Sequence, residues 1–319
     1  VKRIGNLYEK IIDIDNIKLA HKNAKKRKKE NNHIKIVDDN IDYYCNNIKD
    51  ILTEKSFKNS EYVVFTKKCG KKIREIYKLP YYPDRIIHHA ILQILEPIWK
   101  EILIMDTYSC IKNRGIHFGL KRVKKSLINV EETKYCLKLD IKKYFPSINN
   151  NILKYIVRKK IKDDDLLWLL DEIIDSTNGL PIGNYLSQYL SNIYLNYFDH
   201  YSKEELKIKY YHRYCDDIVI LSSNKEELWS WFFLIREYLE NNLKLTIKDN
   251  YTVFPVKKRG IDFLGYVFYH DHVLVRKSIK ENMKNKINEL SGDELDKSMA
   301  SYYGWLKHGD CENLTKKYL

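Results

Sequence analysis

Tyr210-Tyr211-His212-Arg213-Tyr214-Cys215-Asp216-Asp217-Ile218-Val219-Ile220-Leu221 is the stretch on which the fold turns. An aromatic and basic arm leads into two adjacent carboxylates, and an apolar arm leads away. That is the pattern of a β-hairpin with acids at its turn. Adjacent carboxylates repel and raise each other's pKa unless a cation neutralises them. A hard divalent cation is the simplest remedy, since Mg²⁺ takes one or two protein carboxylates and completes its shell with water and substrate phosphates. A solvated turn, where Asp is common, accounts for the pair equally well on its own.

A second element shifts the balance. In Leu137-Lys138-Leu139-Asp140-Ile141-Lys142-Lys143-Tyr144-Phe145, an alternating strand (Tyr135, Leu137, Leu139 against Cys136, Lys138) ends in one carboxylate. A strand bearing one Asp and a hairpin bearing two match the needs of two-metal phosphoryl transfer, in which the ions sit about 3.5–4 Å apart. Together the two elements resemble the reverse transcriptases. Asp140 matches the family's first catalytic Asp, and the run 214–217 matches its Tyr-x-Asp-Asp box. The resemblance makes Asp140, Asp216 and Asp217 a catalytic metal triad, with Asp217 the most peripheral and Ile141 adding only a backbone carbonyl. It implies two Mg²⁺ ions, or Mn²⁺ in their place. Leu139 and Ile141 read as core.

Composition fits a polyanionic partner. Lys and Arg total 57 against 43 Asp and Glu, a net charge of +14 with a pI near 9.2, and an excess of that size favours nucleic acid. An Ile-, Lys- and Asn-rich composition explains part of it. The 26 tyrosines include candidates for base stacking. The six cysteines form no C-x-x-C pair, which argues against zinc and for reduced thiols. No apolar run is long enough to span a membrane, and no secretory leader is evident. The expectation is a cytoplasmic protein, and the resemblance implies a bacterial or phage-encoded one.

Along the chain, residues 1–60 read as a basic helical extension with the run Lys25-Lys26-Arg27-Lys28-Lys29. Residues 61–78 read as a hairpin with Gly70 at its tip, closed by Pro80 and Pro83. Asp84 is expected to cap a helix through Ile86, Ile91 and Leu95, interrupted at Pro97. His88-His89 read as polar surface, because neighbouring helical side chains diverge. A basic helix is expected over 115–125, further helices over 151–157, 163–175, 187–201 and 226–240, and strands over 244–248 and 251–256. A hairpin over 261–275 and helices over 277–291 and 293–307 close the chain. This order argues for an α+β fold with an antiparallel sheet. The resemblance makes it a right-hand polymerase fold: fingers over 61–134, an antiparallel-sheet palm over 135–266 with a fingers contribution around 150–180, and a short helical thumb over 267–319.

The remaining site residues rest on the resemblance. Phe145, five residues past Asp140, sits where the family stacks an aromatic under the incoming sugar and excludes a 2′-hydroxyl. Arg74, with Lys72 and Lys68, sits where fingers residues hold the triphosphate. Arg85 matches a structural or template-facing position. Ile261-Asp262-Phe263-Leu264-Gly265-Tyr266 matches the hairpin at the primer terminus, so Leu264, Gly265 and Tyr214 are expected near primer and template. Lys248 sits near the family's protonating Lys. In Gly179-Leu180-Pro181-Ile182-Gly183-Asn184-Tyr185-Leu186-Ser187-Gln188, Gly183 allows close backbone approach to the nascent pair. Most reverse transcriptases have Gln at the place of Ile182 and Pro at that of Gln188.

That departure, and Ser301-Tyr302-Tyr303-Gly304-Trp305-Leu306-Lys307-His308, resemble the enzymes of diversity-generating retroelements. They copy a template-repeat RNA into cDNA with errors at adenines, for targeted diversification. The implied partners are template RNA, the cDNA or primer strand, dNTPs and a small basic accessory protein forming a pentamer. The alternatives are a defence-associated, abortive-infection type reverse transcriptase and an inactive polymerase fold that only binds RNA.

Overall fold

The computed structural model describes residues 2–26, 32–70 and 72–318, without the side chains of Cys69 and Lys72. Arg27-Lys28-Lys29 of the basic run and the Lys72 side chain therefore lie outside the described part. The chain packs as two discontinuous units, Val1–Ile104 with Lys142–His200 and Tyr238–Leu245, and Met105–Ile141 with Tyr201–Glu237 and Thr246–Leu319.

The first unit is mainly helical. Helices Tyr8–Ile12, Ile14–Ala24, Asn32–Asp39 and Ile41–Thr53 lead into a hairpin of β1 (Val63–Cys69) and β2 (Lys72–Lys78), paired from Val63↔Lys78 to Cys69↔Lys72. Gly70 sits at its tip with φ +62°. The central helix, Ile86–Ile102, corrects three expectations. Asp84 does not cap it. Its buried carboxylate accepts from the Ser60 N–H (3.0 Å) and the Ser60 hydroxyl (2.7 Å) instead. Pro97 does not end it, because Leu95 and Trp99 are fully buried on either side. Their burial, worth about 1.5–3 kcal/mol per large apolar side chain, offsets a Pro cost of about 3 kcal/mol. His88 and His89 are not at the surface. Residues Ile86 to Leu92 are all buried, so the helix is packed on every side there and divergent side chains meet core. His89 stacks on Tyr185 at 4.3 Å. The helix expected from Ser187 begins at Tyr185, with Asn184 at its N-cap, and stops at Tyr194.

The second unit holds an antiparallel sheet in the order β4–β5–β3–β6, from β3 (Tyr135–Asp140), β4 (Tyr210–Tyr214), β5 (Asp217–Ser222) and β6 (Thr252–Pro255). Ile218, Val219, Ile220 and Leu221 of β5 are all buried, as suits an interior strand. The expected strand over 244–248 is absent. Lys244 turns at φ +54°, and only Ile247 bridges, to Ile141. A second sheet runs β7 (Ile261–Phe263), β8 (Tyr266–Phe268), β9 (Val273–Val275). Helices Lys277–Glu289 and Gly292–Leu306 follow as expected, and Glu312–Tyr318 adds an unexpected one. Helix Ile116–Leu127 packs Leu120, Val123 and Leu127 into the same core as Val219, Phe263 and Tyr266. Gly119 is required there, since a Cβ would lie 2.6 Å from Leu264 and 2.7 Å from Tyr108.

Candidate active site

Three strand ends of the second unit bring the acidic residues together. β3 ends at Asp140, whose register partner on β5 is Asp217. The turn between β4 and β5 carries Cys215 and Asp216, and the Asp216 carbonyl accepts from the Ile141 N–H at 3.2 Å. Asp216 and Asp140 are close enough for their carboxyls to hydrogen-bond, and burial together with Asp140 raises the Asp216 pKa. Burial also pushes Asp217 up to about 6, with Lys138 opposing and Asp140 and Asp216 adding to the rise.

Two lysines answer this charge. Lys248 Nζ lies 2.5 Å from Asp140 Oδ1. Lys138 Nζ lies 3.4 Å from Asp217 Oδ2 and also donates to the Asp262 carbonyl of β7. Lys138 was not foreseen as a site residue. The available signal was its position two residues before Asp140, on the same face of one strand.

Do these donors suit a metal? Asp217 Oδ1 is buried without a hydrogen-bond partner, which is what a carboxylate reserved for a cation leaves behind. Among the described residues, no three His, Cys, Asp or Glu side chains form a preformed metal cage. Mg²⁺ does not require one, because substrate phosphates and water complete its shell. Hard oxygen donors with an orphaned carboxylate oxygen fit such an ion.

The turn is strained. Cys215 has φ +56°, a region that disfavours side chains other than Gly, Asn or Asp. Arg213, fully buried on β4, donates to the Cys215 carbonyl at 2.9 Å. β4 is itself anchored by buried polar contacts. His212 Nδ1 meets the Tyr108 hydroxyl at 2.6 Å, its Nε2 meets Ser126 Oγ at 3.0 Å, and Arg122 holds Asp106 through two bonds of 2.8 and 2.9 Å. Tyr214 is half-buried, and burial raises its pKa.

The β7–β8 turn is Leu264-Gly265, both at positive φ (+55° and +84°). The close approach at Gly265 comes from within the protein: a Cβ there would lie 2.5 Å from Trp305.

In the first unit, Tyr144 takes the core position and bonds the Ser191 carbonyl, while Phe145 stays partly exposed. The Phe145 carbonyl accepts from the Leu180 N–H at 2.9 Å, and the Ile182 carbonyl from the Tyr77 N–H at 2.8 Å. The loop over 179–183 is thus tied to both β2 and the Phe145 segment. Ile182 is half-exposed, and Gly183 and Gln188 are exposed. Arg74 is exposed on β2 opposite Lys67, and Lys68 is exposed on β1. Arg85 lines a cavity of about 620 Å³ with Tyr77, Gly183 and Tyr185. Its Nε is buried without a partner, and burial lowers its pKa.

Residues 66–268 match the family model described as reverse transcriptase (RNA-dependent DNA polymerase). The chain belongs to the reverse transcriptase family. RNA-directed DNA polymerisation is the activity of that family and of this domain. It is 28% identical to protein YkfC of Escherichia coli, over 75% of this chain and 72% of that protein. Similarity to the retron Ec73 reverse transcriptase of Escherichia coli is 26%, over 66% and 71%. To the group II intron-encoded protein LtrA of Lactococcus lactis it is 23%, over 81% of this chain and 55% of LtrA. Among solved structures, apo telomerase from Candida tropicalis superimposes with a TM-score of 0.53 at 12% identity, over 77% of this chain and 52% of that one. At that identity the likeness supports the fold alone. No helix among the described residues is long and apolar enough to cross a membrane.

Proposed function

We propose that this reverse transcriptase copies a template-repeat RNA into cDNA with low fidelity at adenines, as in diversity-generating retroelements. The observation that carries the reading is Ile182. Its carbonyl is held by the Tyr77 N–H, and its half-exposed side chain is apolar, where the resemblance puts Gln in most reverse transcriptases. Losing one hydrogen bond near the nascent pair weakens discrimination by on the order of 1 kcal/mol.

In this reading Asp140, Asp216 and Asp217 hold a pair of Mg²⁺ or Mn²⁺ ions. When bound, such ions neutralise triphosphate charge and acidify a primer 3′-hydroxyl. Lys248 Nζ supplies a proton to the leaving pyrophosphate, and Lys138 steadies Asp217. Phe145 excludes ribonucleotides, Arg74 and Lys72 meet the triphosphate, and Gly183 and Gln188 border the nascent pair. Arg85 faces the template, while Tyr214, Leu264 and Gly265 shape the primer terminus. Template RNA and dNTPs are substrates, and a small basic accessory protein, a pentamer, assists.

The test is sequencing of cDNA made by wild type and Ile182→Gln on an RNA template. The adenine error rate should fall in the variant, and an unchanged rate removes Ile182 from the argument. Paired repeats in neighbouring DNA that differ at adenines would support the retroelement assignment, and their absence would favour the defence-associated reading.

A further inference from the structure

We propose that Arg213 is a positioning residue for the carboxylate-bearing turn, holding Cys215 in its strained conformation so that Asp216 and Asp217 point correctly. The inference rests on the reading of these two residues as metal-binding.

Arg213 is 0% exposed, and arginine keeps its charge at any ordinary pH. A buried charge is tolerated only where hydrogen bonds satisfy it. One of those bonds goes to the Cys215 carbonyl at 2.9 Å, directly at the turn.

The stem of Arg213 is fixed on both sides. Its N–H donates to the Asp106 carbonyl at 2.9 Å, its carbonyl accepts from Tyr108 at 3.1 Å, and its register partner across β4–β5 is Ile218. The guanidinium therefore reaches the turn from a rigid base.

The turn needs such a hold. Two-residue hairpins prefer positive φ at their first central position, which normally calls for glycine. Cys215 stands there at φ +56°, and such strain persists only where the surroundings over-determine it. The two carbonyls of the turn are both engaged, Cys215 by Arg213 and Asp216 by the Ile141 N–H. With both of its carbonyls held, the turn's backbone is restrained, and with it the placement of the carboxylates it carries. Arg213 touches no reacting atom; it acts through the backbone of Cys215.

The test is a rescue. Arg213→Met and Arg213→Lys are compared with wild type in single-nucleotide primer extension across a Mg²⁺ titration, alongside template–primer affinity and melting temperature. Each is also made in a Cys215→Gly background, where glycine adopts positive φ without strain. Loss of an outer-shell partner reduces metal affinity or activity by roughly 10–100-fold. Each folded Arg213 variant should raise the half-saturating Mg²⁺ or lower the rate by about that factor, with template–primer affinity little changed. Cys215→Gly should restore a large part of the loss. A folded Arg213 variant that extends like wild type, or a loss that Cys215→Gly leaves untouched, overturns the proposal. Asp216→Asn separates the two layers: if it extends primers like wild type, the metal-binding reading itself fails, whatever Arg213 does.

Discussion

Lys248 Nζ lies 2.5 Å from Asp140 Oδ1, so a cationic side chain occupies the charge-neutralising place beside the first carboxylate. Lys248 reaches it from an irregular segment whose own N–H bonds the Asp140 carbonyl at 2.8 Å. A divalent ion bound at Asp140 would compete with this ammonium for the charge of the carboxylate. Removing the lysine therefore removes a competitor. Lys248→Met is expected to bind Mn²⁺ more tightly than wild type by a few-fold, as a partly exposed pair worth up to about 1 kcal/mol implies. If Lys248 protonates the leaving pyrophosphate as proposed, the variant should nevertheless add nucleotides more slowly. Titration calorimetry with Mn²⁺ and single-turnover extension read the two effects separately. Weaker Mn²⁺ binding in the variant would show that Lys248 organises the site instead of competing for it.

Asp217 supplies a second prediction. Its folded pKa, about 6, lies above the usual 3.8 because it is buried. A carboxyl with a raised folded pKa contributes stability below its unfolded pKa and loses that contribution as pH rises through the folded value. In the metal-free protein, ionised Asp217 is thus a liability at neutral pH. Asp217→Asn should stabilise the protein in EDTA at pH 7.5 by about 1–3 kcal/mol and by much less at pH 4.5. Saturating Mg²⁺ should shrink the advantage. Denaturant melts at the two pH values measure it, and equal effects at both would contradict the assignment.

Much of this was legible in the chain, for reasons that can be located. Alternation in Tyr135 to Asp140 and the apolar run after Asp217 marked β3 and β5, and the adjacent aspartates marked the turn between β4 and β5. Gly70 marked the tip of the first hairpin. Features that depend on packing were not visible. His88 and His89 looked solvated because nothing local reveals a helix buried on all sides, and Asp84 looked like a cap because Ser60 lies far away in sequence. Lys138 and Arg213 stood out only as members of their strands, with no role assigned to either side chain. Spacing put Lys138 on the Asp140 face of β3, but its contacts with Asp217 and the Asp262 carbonyl, and the tie from Arg213 to the Cys215 carbonyl, depend on the packing of separate segments.

Burial of His212 should make the second unit acid-sensitive. It is fully buried between Tyr108 and Ser126, and burial lowers its pKa to about 4. Asp106, 3.8 Å away, pulls the other way, but its carboxylate is already engaged by Arg122. Arg122 and Lys203 add to the lowering. A histidine with a depressed folded pKa contributes stability above its unfolded pKa, near 6.5, and loses it as pH falls toward 4. Between pH 7 and pH 5 this group alone should account for about 1–2 kcal/mol of lost stability. His212→Gln, which retains hydrogen-bonding groups without titrating, should flatten that slope by a similar amount in urea melts. An unchanged slope would place the acid sensitivity elsewhere.

Two glycines at positive φ should respond differently to the same substitution. Gly183 has φ +123°, and a Cβ there would sit 2.6 Å from the Tyr77 carbonyl oxygen. That oxygen belongs to the backbone of β2, whose Tyr77 N–H also bonds the Ile182 carbonyl. The clash can be relieved only by moving the loop over 179–183 off β2. Gly70, at φ +62°, has nothing within 4 Å of such a Cβ, so alanine there meets backbone strain alone, about 1–2 kcal/mol. Gly183→Ala adds the displaced hydrogen bond and should cost about 1–2 kcal/mol more than Gly70→Ala. If the loop borders the nascent pair, Gly183→Ala should also raise the KM for dNTPs, an effect that strain at a hairpin tip does not produce. Parallel melts and steady-state extension on the two variants test this, and matching losses in both would mean that the loop tolerates the shift.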